Sequence, residues 1–214
     1  MRIIDLSYPL ADATVVLPGR PRPVYERLKT IVAEGCSHTV IKIGVHTGTH
    51  ADAPLHFLQG GESIDNVPLE HFWGRAGIFR SKVPPAGQEI TAAEVIESGF
   101  ELSGAKIFVL DTGISAYAGT RDYDEKFAVP SEDLVDWLLG RGVLAFMTDA
   151  ASVDPGYSHE NPGRKQLFKK GAAVVENLAD LSKIPANTDF VISALPLKLP
   201  GRVGAPARAA AWVD

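Results

Sequence analysis

Cysteine is nearly absent from this chain of 214 residues, in which Cys36 stands alone. One cysteine cannot form an intrachain disulfide or build a thiolate-rich zinc site, so any metal held here must rely on histidine and carboxylate. Only His38 lies near enough in sequence to activate Cys36, and the expected fate of such a cysteine is simple burial. Long apolar runs are missing as well. No stretch approaches the roughly eighteen apolar residues of a membrane span, and Met1-Arg2-Ile3-Ile4-Asp5-Leu6-Ser7 takes on charge too early for a targeting signal. Nor is there a dense basic run. A net charge of −5 and a pI of about 5.7 leave no electrostatic footprint for nucleic acid. These absences suit a cytoplasmic prokaryotic protein, and the expected partner is a small molecule, with neither nucleic acid nor membrane involved.

Internal repeats, low-complexity segments and long linkers are also lacking. With 45% hydrophobic and 22% charged residues the chain can bury one core, so residues 1–214 are expected to form one domain. Arg2 to Ser7, Val24 to Val32 and Ser37 to Gly44 have strand character, and the N-terminal strands look antiparallel. Three prolines between Pro18 and Pro23 mark a loop. Thr91-Ala92-Ala93-Glu94 has the spacing of a capping box, and Ser131 caps a helix with Glu132 and Asp133 in its first turn. Gly77 to Val83, Lys106 to Leu110, Val143 to Met147, Ala172 to Val175, Phe190 to Leu195 and Ala209 to Val213 read as further strands. Strand, helix, strand in the middle of the chain predicts a right-handed crossover with parallel pairing. The expected fold class is therefore α/β, a single domain with a mixed β-sheet and helices on its faces.

The chemistry is concentrated in eleven residues, His46-Thr47-Gly48-Thr49-His50-Ala51-Asp52-Ala53-Pro54-Leu55-His56, which hold three of the six histidines. Imidazole and carboxylate are the donors that zinc and similar divalent ions accept, at about 2.0–2.2 Å for zinc. A straight strand would hold His46 and Asp52 about 20 Å apart, and a straight helix would turn Asp52 away from the histidines. The segment must fold back, with Gly48 free to adopt positive φ and Pro54 stiffening the chain just beyond Asp52. A tight loop entering a short helical turn satisfies these demands. An ion on His46, His50 and Asp52 alone would have three protein ligands and an open position, the pattern of a catalytic site. Downstream, Glu176 interrupts an apolar run and reads either as a ligand or as a strand-end residue with its head in water. His159 and its neighbour Glu160 lie in a polar loop, and His38 and His71 read as structural.

The eleven residues resemble the His-x-Gly-Thr-His-x-Asp-x-Pro-x-His signature of the cyclase-like family of metal-dependent hydrolases, which includes bacterial kynurenine formamidases and isatin hydrolases. The likeness continues through Asp111-Thr112-Gly113, the run Thr148 to Asp154, Glu176-Asn177-Leu178 and Ala194 to Lys198. It implies the swivelling β/β/α cyclase-like fold and a homodimer or homotetramer. It also implies two divalent ions per chain, zinc foremost with manganese or iron as alternatives, the second held by Asp52, His159 and Glu176; Glu160 competes with His159 for that role. His56 matches the general acid/base of the family, against the alternative of orienting a ligand.

The implied reaction is hydrolysis of a small formamide, lactam or cyclic imide by metal-activated hydroxide, with arylformamidase action on N-formylkynurenine as the leading specific case. Leu17 and Arg20 stand where formamidases often carry tryptophan and aspartate, and Arg20 could meet an anionic substrate. The competing class is a non-catalytic, metal-dependent small-molecule-binding protein. A cupin-like oxygenase is disfavoured because its His-x-His spacing is missing.

Overall fold

The computed structural model describes residues 1–11, 14, 16, 19–82, 88–155, 160–186 and 188–213. In chain order the elements are β1 (Arg2–Asp5), β2 (Val24–Lys29), α1 (Ile31–Glu34), β3 (His38–Lys42), β4 (His50–Asp52), β5 (Trp73–Arg80), β6 (Glu89–Ile90), α2 (Ala92–Glu97) and β7 (Ile107–Asp111). There follow α3 (Arg121–Glu125), β8 (Val129–Pro130), α4 (Glu132–Gly140), β9 (Ala145–Thr148), α5 (Pro162–Lys169), β10 (Ala173–Glu176), β11 (Phe190–Ser193), β12 (Gly204–Pro206) and β13 (Ala210–Val213).

Nine strands make one mixed sheet in the order β1-β13-β11-β5-β7-β9-β10-β4-β12. The centre, β5, β7, β9 and β10, is parallel, and the strands on both flanks are antiparallel. Parallel neighbours need crossovers, and helix α4 supplies the one between β7 and β9. Its cap is the one expected, with the Ser131 hydroxyl accepting from the Leu134 N–H, and the Thr91 and Glu94 capping box opens α2.

Alternation along the central strands separates two cores. Ile107, Val109, Ala145, Met147, Ala173 and Val175 face one way, among Ile4, Leu6, Phe72 and Ile192. Phe108, Leu110, Phe146 and Val174 face the other, against Val95, Leu134, Leu138, Leu167 and Phe168 from the helices. A period of two on strands covered on both faces yields these continuous apolar runs.

Strands β2 and β3 form a separate antiparallel hairpin whose residues are all exposed. Cys36 lies on the short link between α1 and β3 and is exposed, contrary to the burial expected for it, because the whole hairpin stands clear of both cores. His38 is likewise exposed, and His71 ends a single turn of 3-10 helix, Leu69–His71. Among the described residues no helix is long and apolar enough to cross a membrane.

Candidate metal centre

The eleven-residue segment folds as a turn around His46, then the three-residue strand β4, then one 3-10 turn, Pro54–His56. The loop and helical turn were legible, but the strand between them was not. Gly48 takes φ 60°, the left-handed conformation that reverses the chain between His46 and His50. Strand β4 is inserted between β10 and β12, which places His50 opposite Glu176 and Pro206, and Asp52 opposite Val174 and Gly204. Directly opposed residues share a face. His50, Asp52 and Glu176 therefore project together toward the helix side of the sheet, while Ala51 enters the other core.

His46, His50 and Asp52 each offer a ligand atom within 4.8 Å of the others, the one such cluster of three among the described residues. His46 Nδ1 lies 2.7 Å from Asp52 Oδ1, and His50 Nε2 lies 3.3 Å from the same oxygen and 3.6 Å from Glu176 Oε2. His50 Nδ1 is 2.8 Å from the Gly48 carbonyl, which only accepts, so that nitrogen carries a proton and Nε2 faces the carboxylates. Both His46 ring nitrogens and Asp52 Oδ1 are buried without a hydrogen-bond partner. Buried polar atoms are rarely left so. Their donor chemistry suits a divalent cation, and the residues therefore fit the ion that the sequence implies. Gly204 makes room for the His46 ring: a Cβ there would stand 2.8 Å from His46 Cε1 and 2.6 Å from the Ala51 carbonyl oxygen.

His56 stacks on His46 with ring centroids 4.1 Å apart. Burial, opposed by the charge of Asp52 and reinforced by the positive neighbours Arg164 and Arg20, lowers its pKa to about 4, so His56 is neutral at pH 7. For Asp52, burial favours the protonated form, but the close His46 and His50 rings prevail and hold it well below the usual carboxylate range. Burial also opposes charge on His50, and there the nearby carboxylates of Asp52 and Glu176 prevail and raise it.

Arg164 is the residue that sequence reasoning missed. It is 7% exposed, on the first turn of α5. Its Nη2 pairs with Glu176 Oε1, its Nε lies 3.4 Å from Asp52 Oδ2 and 3.9 Å from Asp154 Oδ2, and its guanidinium stands over the Phe57 ring at 5.1 Å. A signal was present. Asn161-Pro162-Gly163 opens a helix, and an arginine in a first turn opposes the helix dipole unless anions hold it. Glu176 is buried at the end of β10, so the alternative of a head in water does not hold. Burial raises its pKa, against the lowering charge of Arg164.

His159 lies outside the described residues; Glu160, its competitor, is exposed. Leu17 is also outside them, whereas Arg20 reaches the site. Together with Val16, His46, His50, Asp52, His56, Ala151, Arg164, Glu176 and Asn177 it lines a narrow cleft of about 20 Å³. A wider cleft beside β5, lined by Arg80, Phe100 and Asp189, holds no such group of ligands.

A mixed sheet that brings two histidines and an aspartate together beneath a third, stacked histidine defines a metal-binding α/β protein. A family model described as "Putative cyclase" matches residues 4–155, and the chain belongs to that family. A kynurenine formamidase of Bacillus cereus is 31% identical over 208 residues, spanning 96% of this chain and 95% of its own length. One from Delftia acidovorans is 32% identical over 212 residues, spanning 97% and 96%. Among solved structures, isatin hydrolase A from Labrenzia aggregata superposes with a TM-score of 0.83 over 98% of this chain and 93% of its own; at 24% identity it speaks for the fold alone. A structure described as a potential metal-dependent hydrolase with cyclase activity reaches 0.80 at 25% identity, over 98% and 96%.

Proposed function

We propose that residues 1–214 form one metal-dependent amidohydrolase domain that opens a small amide, formamide, lactam or cyclic imide, with N-formylkynurenine as the leading specific substrate. The observation that carries this reading is the stacking of His56 on His46, beside the orphaned ligand atoms of His46 and Asp52, in one cleft. Relatives named kynurenine formamidase, alike over nearly their whole length, support the substrate class.

His46, His50 and Asp52 would hold a divalent ion, zinc foremost with manganese or iron as alternatives, and the family resemblance adds a second ion on Asp52, His159 and Glu176. When bound, such an ion supplies Lewis acidity, lowering the pKa of water and stabilising charge on a carbonyl oxygen. The chain's own residues do the rest. Neutral His56 takes the proton from the attacking water and returns it to the departing nitrogen, which the amide requires in order to leave. Arg20, at the rim, meets an anionic group on the substrate. Val24, Tyr25, Val32, Val40 and Ile41 are exposed on or beside the β2–β3 hairpin, which supports association into a homodimer or homotetramer. A cytoplasmic location belongs to the same reading.

The test is hydrolysis of a panel of formamides, lactams and cyclic imides by metal-loaded protein, with metal content measured in parallel. His56→Ala is expected to retain its metal and lose turnover on the order of 10²–10⁴-fold. Bound metal with no turnover on any member of the panel overturns the enzyme reading and leaves a binding protein.

A further inference from the structure

We propose that Arg164 takes the place of a second cation, so that the centre holds one metal ion, on His46, His50 and Asp52. This rests on the reading of those three residues as ligands and departs from the paired-ion arrangement.

The carboxylate oxygens are divided between two kinds of partner. Asp52 turns Oδ1 toward His46 and His50 and Oδ2 toward Arg164. Glu176 divides itself in the same way, with Oε2 facing His50 while Oε1 accepts from both the Val153 N–H and Arg164. One oxygen of each carboxylate is thus already directed at a guanidinium, which stands where a further cation would have to approach the pair.

Charge leads to the same count. Asp52, Asp154 and Glu176 are buried at 1%, 1% and 2% exposure and bring three negative charges when ionised. Arg164 supplies one positive charge and one divalent ion supplies two more, which leaves the group neutral. A second divalent ion beside the arginine would leave an excess of two positive charges out of water, where like charges repel strongly. Arginine cannot relieve this by shedding its proton, and its delocalised fork matches carboxylate oxygens where lysine would not. Arg164 is also fixed from behind. The Gly163 N–H, one residue before it, donates to Asp154 Oδ1 at 2.7 Å, tying the start of α5 to the same carboxylate cluster.

The experiment reconstitutes the full-length protein with excess Mn²⁺ and counts bound ions by native mass spectrometry, with electron paramagnetic resonance of the same samples. The expected wild-type result is one ion per chain, removed by His46→Ala, with the six-line signal of an isolated Mn²⁺. Arg164→Gln is expected to admit a second ion and give an exchange-coupled spectrum, whereas Arg164→Lys keeps one. Two coupled ions in the wild type overturn the proposal, as does a single ion in Arg164→Gln protein. Should Arg164→Gln fail to fold, the wild-type count and spectrum decide alone. The outcomes separate from those for the activity: two ions with amide hydrolysis overturn only the Arg164 assignment, one ion without hydrolysis overturns only the enzyme reading, and no ion overturns both.

Discussion

Two groups of buried carboxylates lie in this sheet and are satisfied by opposite means. Asp52 and Glu176, on neighbouring antiparallel strands, face histidines and an arginine, and Asp52 Oδ1 has no hydrogen-bond donor. Asp111 and Asp149 stand at and just beyond the ends of the parallel strands β7 and β9. Asp149 accepts from the Thr112 N–H at 2.9 Å, the Thr112 hydroxyl at 2.8 Å and the Ser115 N–H at 3.2 Å, and Asp111 pairs with Arg80 at 3.2 Å. The second group is a finished structure, with Asp149 pinning the loop from Thr112 to Ser115. The first keeps lone pairs facing a cleft, and that difference distinguishes a ligand set from a scaffold more sharply than burial does.

Placing the same chemistry in both groups sharpens the contrast. Asp52→Asn keeps the side chain's size and removes the charge against which His46, His50 and Arg164 are set. Metal content, read by elemental analysis, is expected to fall to near background. Hydrolysis is expected to fall on the order of 10³-fold or more, because several kcal/mol of ion-derived stabilisation go with the metal. Asp149→Asn is expected to leave the metal content intact. Loss of metal in Asp149→Asn, or retention in Asp52→Asn, would erase the distinction between the groups.

The sequence made these two regions unequally legible. His46, His50 and Asp52 fall within seven residues, and the short bonds of a shared ion forced the chain to fold back there, so local reasoning reached them. Glu176 was visible as a carboxylate in an apolar run, but its place opposite His50 depends on the pairing of β4 with β10 across more than a hundred residues. A three-residue strand has no period to read. Arg164 was hidden for a different reason: α5 is largely polar, so its apolar spacing is faint, and only its capping residues announce it. Strands β7, β9 and β10 were predicted to within about two residues because both faces are buried, whereas the half-exposed β5 starts four residues before the predicted Gly77. Strand β12 was missed, since Gly204-Ala205-Pro206 is chosen for close approach to His46 and not for strand propensity.

The second group should matter to folding where the first matters to chemistry. Asp149→Ala strands the backbone N–H and hydroxyl of the buried Thr112 and the half-buried N–H of Ser115. Each such group costs about 1–3 kcal/mol, partly offset by the loss of repulsion from Asp111. The expected net destabilisation is about 3–4 kcal/mol, which lowers Tm by roughly 10 °C for a chain of this size. Differential scanning calorimetry on metal-free protein reads this directly. A Tm within a degree of wild type would mean that Asp149 does not pin the loop.

The smallest effect is one of pH, and its sign follows from Asp149. Burial first, and then the charge of Asp111, raise its pKa to about 6 from an ordinary value of 3.8. In that interval the folded chain keeps a proton that the unfolded chain has released. Its contribution is therefore fully present below about pH 4 and is lost as pH rises through about 6, by up to about 3 kcal/mol at 1.36 kcal/mol per unit. Asp111 and Asp154 are also raised by burial, so the total pH dependence belongs to several groups. Subtracting Asp149→Asn, which cannot titrate at that position, isolates the contribution of Asp149. Urea unfolding of metal-free protein at intervals between pH 4 and 7 should show wild type losing stability relative to the variant as pH rises. A flat difference would mean that the three donors hold Asp149 ionised throughout, which would make the second carboxylate group as fully charged as the first.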